Sequence, residues 1–429
     1  MTAPRFADHR LHLAELRAAA LRAVDPASAV RRSLSPGDFA EAERIFVVGG
    51  GKAGIAMAQA AAEILGDRLT SGVVSVPAVP SQTPAGITFV AGGHPTPTGG
   101  SLAAGRAIAD LLTRTSPCDL VIAMISGGGS ALLELPAAGL ALADLQATND
   151  ALLKSGATIN EVNTVRTQLS QLKGGGLARL AYPARLLALI LSDVVGNPLP
   201  IIASGPTVPS TATKQDALAV IDKYRLRSLL PPVIVHHLTS PPSASISSVP
   251  SIENRLIASN RLAGEAAAVA ARALGFAAVF LADDWQGEAR EVGRRLAERL
   301  VHEAEERGDR EAEEKSVCLV VGGETTVRVK GAGRGGRNQE AALAAALAID
   351  GLPNLVISTF ATDGVDGPTD AAGAIVTCDT VARARALGLD PQKHLDDNDA
   401  YSFFAALGDL ILTGPTGTNV NDLMFGLVY

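Results

Sequence analysis

Short apolar runs, each closed by glycine or a small polar residue, alternate with longer stretches in which apolar residues recur at helical spacing. Residues 11–24 read as an amphipathic helix, followed by a Ser/Pro-rich loop. From residue 44 the pattern predicts strands at 44–48, 72–76, 87–91, 119–125 and 186–191, with helices at 55–65, 101–112 and 141–154 between them. A second alternating region follows a stretch rich in proline and serine near 228–252, which reads as a linker and contains His236 and His237. It predicts a helix at 261–274, capped by Asn260 and stopped by Gly275. A helix at 287–307 carries Val292, Leu296 and Leu300 on one face. Strands at 316–321 and 355–360 and a helix at 338–349 complete the region. Strand–helix alternation of this kind predicts two α/β domains with largely parallel sheets, helices on both faces and functional loops at strand C-terminal ends. The first domain, 1–235, is expected to be Rossmann-like and the second spans 236–429. The last ~20 residues are a segment able to pack back on the first domain.

Composition sharpens this picture. Hydrophobic residues make up 47% of the chain but aromatic ones only 3%, so the core must be aliphatic, as suits helices on parallel strands. A net charge of −7 and the scarcity of aromatic stacking surface argue against a nucleic-acid binder. Cys118, Cys318 and Cys378 are far apart and form no CxxC pair, which fits reduced thiols in a cytoplasmic protein. No run approaches the ~20 apolar residues of a membrane span. Self-association into a homo-oligomer is left open.

Candidate chemistry lies in glycine-rich loops that directly follow apolar runs. Gly49-Gly50-Gly51-Lys52-Ala53-Gly54 matches G-x-G-x-x-G between a strand and a helix. A dinucleotide site also needs an acid at the end of the next strand, and Ser75-Val76-Pro77 supplies none. The loop fails as a Walker A motif, since Phe46 and Ala53 stand where glycine and Ser/Thr belong. What remains is a glycine loop with a lysine at a helix start, suited to phosphate, or else a tight turn with a solvated lysine. Ser126-Gly127-Gly128-Gly129-Ser130 is no nucleophile elbow, because Leu132 replaces the second glycine. It reads as a backbone nest for an anion or as a strand-closing turn. Asp193 ends an apolar strand, where it could hold Mg²⁺, accept a hydroxyl proton, or cap its own loop. Arg334 and Arg337 flank glycines at a helix start, placed to stabilise a phosphoryl group or simply solvated. Asp363 and Asp366 form an acidic turn, and His94 lacks a partner motif.

Together with Gly92-Gly93-His94-Pro95, Ser155-Gly156-Ala157-Thr158-Ile159-Asn160-Glu161-Val162-Asn163, Lys173-Gly174-Gly175, Ser192-Asp193-Val194-Val195-Gly196, Ser204-Gly205-Pro206-Thr207, Gly322-Gly323-Glu324-Thr325, Gly335-Gly336-Arg337-Asn338-Gln339-Glu340 and Thr416-Gly417-Thr418-Asn419-Val420-Asn421-Asp422, these loops resemble the class II glycerate kinases, whose C-terminal part is the MOFRL domain. The resemblance implies transfer of phosphate from ATP, with Mg²⁺, to the C2 hydroxyl of D-glycerate in an interdomain cleft. It implies catalytic roles for Lys52, Asp193 and Arg337, with Arg334 the second candidate arginine. Substrate or nucleotide contacts are implied for Gly50, Gly51, Ser126, Gly127, Gly128, Ser130, Asn160, Glu324, Arg334, Asn338, Asp363 and Asn419. Mg²⁺ would fall to Asp193. The competing readings are an NAD(P)H-dependent hydroxypyruvate reductase and a non-catalytic nucleotide-binding protein.

Overall fold

The structure is a computed structural model that describes residues 4–241, 251–307 and 316–429. The chain divides into two compact units, Pro26–Ile257 and a second made of Met1–Asp25 with Ala258–Tyr429.

The first unit is built on strands β1 (Ile45–Gly50), β2 (Leu69–Val76), β3 (Ile87–Ala91), β4 (Leu120–Ile125), β5 (Arg185–Leu191) and β6 (Ile252–Ala258). They lie in the order β3-β2-β1-β4-β5-β6, and every neighbouring pair from β3 to β5 is parallel. This is the Rossmann order, in which the crossover direction reverses between β1 and β4. Both of those strands are buried along their whole length, which is why they read as unbroken apolar runs. A satellite core of Leu152, Val165, Ile221 and Ile234 joins four helices outside the sheet. One of them, Pro232–Thr239, corrects the linker reading. Its Ile234 and Leu238 pack inward, and His237 Nε2 lies 3.0 Å from the Gln168 carbonyl. The remainder of that proline- and serine-rich stretch, 242–250, lies outside the described residues.

The second unit holds β7 (Ala277–Glu288), β8 (Val317–Thr326), β9 (Leu355–Ala361), β10 (Gly373–Thr377), β11 (Leu410–Ile411) and β12 (Asp422–Val428). Their order is β11-β10-β9-β12-β8-β7. The expectation of a largely parallel sheet is corrected here, since only β7 and β8 pair in parallel. The final strand β12 inserts antiparallel between β8 and β9. The closing residues therefore complete this unit's own sheet, with Leu423, Met424, Phe425 and Leu427 fully buried in it.

The first 25 residues also differ from the expected division at 235/236, because they belong to the second unit. Helix His9–Ala23 buries Leu13, Leu16 and Ala20, and it packs on helix Asn260–Ala273. The small Ala263, Ala267 and Ala271 of that helix are themselves buried. Thr418 Oγ1 donates to the Val24 carbonyl at 2.9 Å, and Arg10 pairs with buried Asp409. Helix Asn260–Ala273 is capped by Ser259, whose hydroxyl accepts from Leu262 N, rather than by Asn260. Asn260 is buried and donates to the Val420 and Asp422 carbonyls at 2.8 Å each, tying the helix to β12.

Candidate functional site

The C-terminal ends of β1 and β4 bring the first two glycine loops into backbone contact at the reversal point of the sheet. A Cβ at Gly49 would lie 2.1 Å from the Met124 carbonyl oxygen, and one at Gly51 would lie 2.0 Å from Ser126 Oγ. Only glycine allows this approach, and Gly49 and Gly51 also hold φ of +136° and +146°. The amides of the first loop bond within the protein. Gly51 N donates to Ser75 O (3.1 Å), Lys52 N to Gly127 O (2.8 Å), Ala53 N to Ser126 Oγ (3.2 Å) and Gly54 N to Gly51 O (3.1 Å). The loop thus does not serve as a backbone phosphate nest, and its capacity for an anion rests on the exposed Lys52 side chain.

Lys52 runs over Gly128, where its Cγ would lie 3.2 Å from a Cβ and His94 Cδ2 3.0 Å. Burial and the neighbouring Lys52 charge both hold the His94 imidazole below its ordinary pKa, favouring the neutral ring. Asp193, at the end of β5, presses its carboxylate on Gly127, with Oδ2 2.0 Å from where a Cβ would stand. The ends of four strands, β1, β3, β4 and β5, therefore bring Lys52, His94, the Ser126–Ser130 loop and Asp193 together. Ser130 Oγ lies 2.7 Å from Ser204 Oγ, which donates to Asn163 Oδ1 at 2.9 Å. Ala203 and Ser204 hold left-handed φ of 51° and 62°, strained for residues other than glycine. Asn160 stands one helical turn from Asn163 on helix Ile159–Leu169 and is exposed.

The second unit assembles a different group. Because β12 runs antiparallel, Asp422 at its start lies beside Gly323 of β8 and Ala361 of β9. Helix Arg337–Ala348 begins there, and Arg337 Nε lies 2.7 Å from Asp422 Oδ2, with Nη2 3.1 Å from Oδ1. Its Nη1 donates to Glu324 Oε1 at 2.8 Å. Asn338 Nδ2 donates to Asp422 Oδ1 at 3.0 Å. Asp366 caps the helix from beyond its start, accepting from Asn338 N (3.0 Å) and Gln339 N (2.9 Å). Burial pushes the fully buried Asp422 carboxyl up to about 7, against the pull of Arg337. Burial likewise raises Asp366. It works against the charge of Arg337, which Asp422 and Glu324 more than restore.

The other expected residues have plainer surroundings. Arg334 stacks 4.3 Å from the Tyr401 ring centre and donates to Pro368 O at 3.1 Å, turned to a different set of partners from Arg337. Asp363 Oδ1 accepts from Val365 N (3.1 Å) and Asn419 Oδ1 from Asn421 N (3.0 Å), each bonding within its own turn. Sequence reasoning passed over His94, Ser204, Asp366 and Asp422 as site residues. The Asp422 signal was present, an acid closing the Thr416–Asp422 motif, but its partner Arg337 is 85 residues away.

Fold and site together define a two-unit α/β protein with a charged, glycine-walled site at a Rossmann switch point. Residues 12–239 match the domain of unknown function DUF4147, and residues 317–422 match the MOFRL family. The D-glycerate 2-kinase of Thermotoga maritima is 40% identical over 95% of both chains. A protein of Agrobacterium vitis named for hydroxypyruvate reductase activity is 44% identical over 89% of this chain and 98% of its own. The crystal structure of a glycerate kinase from Thermotoga maritima superposes with a TM-score of 0.91 at 39% identity, covering 99% of this chain and 100% of that one. The chain belongs to the class II glycerate kinase family, the two-domain chains that end in a MOFRL domain.

Proposed function

We propose that this protein transfers the γ-phosphoryl group of ATP to the C2 hydroxyl of D-glycerate, giving 2-phosphoglycerate and ADP. The observation that carries the reading is the convergence of Lys52 and Asp193 on Gly127–Gly128, at a switch point whose neighbouring strand ends in Ser75-Val76. A nicotinamide dinucleotide would need an acid there to hold its ribose, which weighs against the reductase reading. Phosphoryl transfer asks a protein mainly to position groups and balance charge. The Lys52 ammonium supplies positive charge beside a loop with no bulk to block approach. Asp193 can accept the C2 proton as the new C2–O–P bond forms and the bond to the ADP oxygen breaks. Arg337, held in a defined orientation by Asp422 and Glu324, is the arginine we assign to the reaction, ahead of Arg334.

Among the described residues no group of three or more His, Cys, Asp or Glu side chains could cage a metal. Mg²⁺ ordinarily takes one or two carboxylates together with substrate phosphates, so Asp193 fits as its protein ligand. Bound there, the ion would neutralise phosphate charge. The free thiols of Cys118, Cys318 and Cys378 support a cytoplasmic setting.

The test is incubation of the purified protein with D-glycerate and MgATP, read by phosphorus NMR, beside hydroxypyruvate with NADH. A C2 phosphate ester is expected. NADH oxidation without phosphoryl transfer would overturn the reading.

A further inference from the structure

Helices Leu142–Lys154 and Ile159–Leu169 and the loop after His94 border a cavity of about 500 Å³, within the size range of ligand pockets. Pro95, Pro97 and Leu153 give it apolar walls, and Gln146, Asn149 and Arg166 give it polar ones. The same loop reaches the candidate site, because His94, next to Pro95, meets Gly128. Gln146 Nε2 donates to Pro97 O at 2.7 Å and ties the first helix to the loop.

Arg166 is the unusual member of this wall. Its Nε donates to Asn149 Oδ1 at 2.8 Å, which fixes the guanidinium against a side chain that also lines the cavity. Nη1 and Nη2 make no hydrogen bond or direct ion pair among the described residues, yet neither is sealed from solvent. The residue is half-buried, and burial pushes its pKa down against the pull of Glu134. That acid is already taken, since buried Glu134 pairs with buried Lys173. Two cations therefore share one carboxylate, and a single positive charge is left over beside the cavity. Asp150 also lines it, but lies 2.7 Å from Lys154 in an exposed ion pair. Two free guanidinium nitrogens suit the two oxygens of a carboxylate. One surplus charge balances a monoanion, whereas a phosphate dianion or a triphosphate would leave negative charge unbalanced near Asp150. Asn149 Nδ2 and Gln146 Oε1 remain unspent among the described residues, a donor and an acceptor for a hydroxyl group.

We infer that this cavity binds a short hydroxy acid, D-glycerate in the reading above, with Arg166 gripping its carboxylate. The inference rests on that reading only for the choice of acid, and it names a contact outside the glycine loops. The acid held here is either the molecule about to be phosphorylated or a second one bound beside the site. The chemistry of the grip is the same in both cases.

Calorimetry of D-glycerate with the nucleotide-free protein is the direct measurement. Arg166→Gln should weaken uptake in the cavity roughly ten- to hundredfold, the worth of hydrogen bonds to a charged group. Ala147 is an exposed residue of the cavity wall, so a change there leaves Arg166 in place. Ala147→Glu adds a negative charge and should bind glycerate at least about fivefold more weakly than Ala147→Gln, which has the same shape. That pair carries the test if Arg166→Gln folds poorly, as judged by its thermal midpoint. Turnover separates the two sources of the acid. A rise in the glycerate KM at unchanged ATP KM in Arg166→Gln places the substrate here. An unchanged glycerate KM, with uptake falling from about two equivalents to one, places a second acid here. Identical uptake by wild type and folded Arg166→Gln, equal uptake by Ala147→Glu and Ala147→Gln, or no uptake by folded wild type would each overturn the inference. Protein that takes up glycerate through Arg166 yet phosphorylates nothing refutes the kinase reading and leaves the cavity assignment standing. Protein that phosphorylates glycerate while Arg166→Gln changes neither KM nor uptake refutes the cavity assignment alone.

Discussion

Replacing Gly127 by alanine tests whether the position of the Asp193 carboxylate, and not merely its presence, drives phosphoryl transfer. Gly127 does not hold a positive φ, so alanine there carries no backbone strain and the perturbation is steric. The added Cβ would stand 2.0 Å from Asp193 Oδ2 and 2.6 Å from Cγ, whereas real Cβ contacts essentially never fall below 3.0 Å. The carboxylate must therefore retreat by at least about 1 Å, and what has to move is a half-buried side chain rather than backbone. A misplacement of about 1 Å at a reacting group can lower the rate by ~10²-fold, or about 2.7 kcal/mol of transition-state stabilisation.

The assay is kcat for ATP-dependent glycerate phosphorylation, with the thermal midpoint as a check on folding. Gly99→Ala is the matched control, since a Cβ there meets nothing within 4 Å and its φ is not positive. It should be near neutral, while Gly127→Ala should lose about two orders of magnitude with an unchanged midpoint. A double-mutant cycle isolates the cause. In an Asp193→Ala background there is no carboxylate to displace, and Gly127→Ala should add almost nothing. Two outcomes refute the reasoning. One is Gly127→Ala with kcat within about twofold of wild type, and the other is a loss fully additive with Asp193→Ala.

Arg337→Ala should reduce kcat far more than it weakens nucleotide affinity, since the interaction strengthens as charge develops. Lys330→Ala, which removes an exposed cation seven residues before Arg337, should be close to neutral, and equal behaviour of the two variants would remove Arg337 from the chemistry. Asp422 has a folded value of about 7 against ~3.9 for an unfolded aspartate, so the folded state holds its proton more tightly. Its contribution to stability is fully present below the unfolded value and is lost as pH rises through the folded one. Asp422→Asn should flatten that fall in urea-unfolding midpoints between about pH 4 and pH 7, and a slope unchanged from wild type would place the titration elsewhere.

The first unit was legible because its information is local. β1 and β4 are buried on both faces, so they appear as apolar runs, and the glycines that close them mark where the backbones touch. Helix Ile159–Leu169 was equally legible in principle. Thr158 and Glu161 form a capping box, with Glu161 Oε2 accepting from Thr158 N at 2.9 Å, but the segment was read only as a motif. The second unit hides its decisive facts in pairing direction. An apolar run such as Asp422–Val428 reads the same whichever way it enters a sheet, and its antiparallel insertion alone brings Asp422 to Arg337.

The glycine loops expose the same limit at shorter range. Their composition marks close backbone approach, and close approach is found, but the partner of the first loop is the second loop rather than an anion. Glycine content reports that something must come near; it does not say what. The amides of the first loop are taken up within the protein, which leaves that loop's positive charge to the Lys52 side chain, and the reaction is assigned here to the side chains of Lys52, Asp193 and Arg337. If that is right, the cost of conservative side-chain changes at these three positions should exceed the cost of alanine at loop glycines that touch none of them. The contrast between Gly127, which touches Asp193, and Gly99, which touches nothing, is the sharpest form of that claim within one unit.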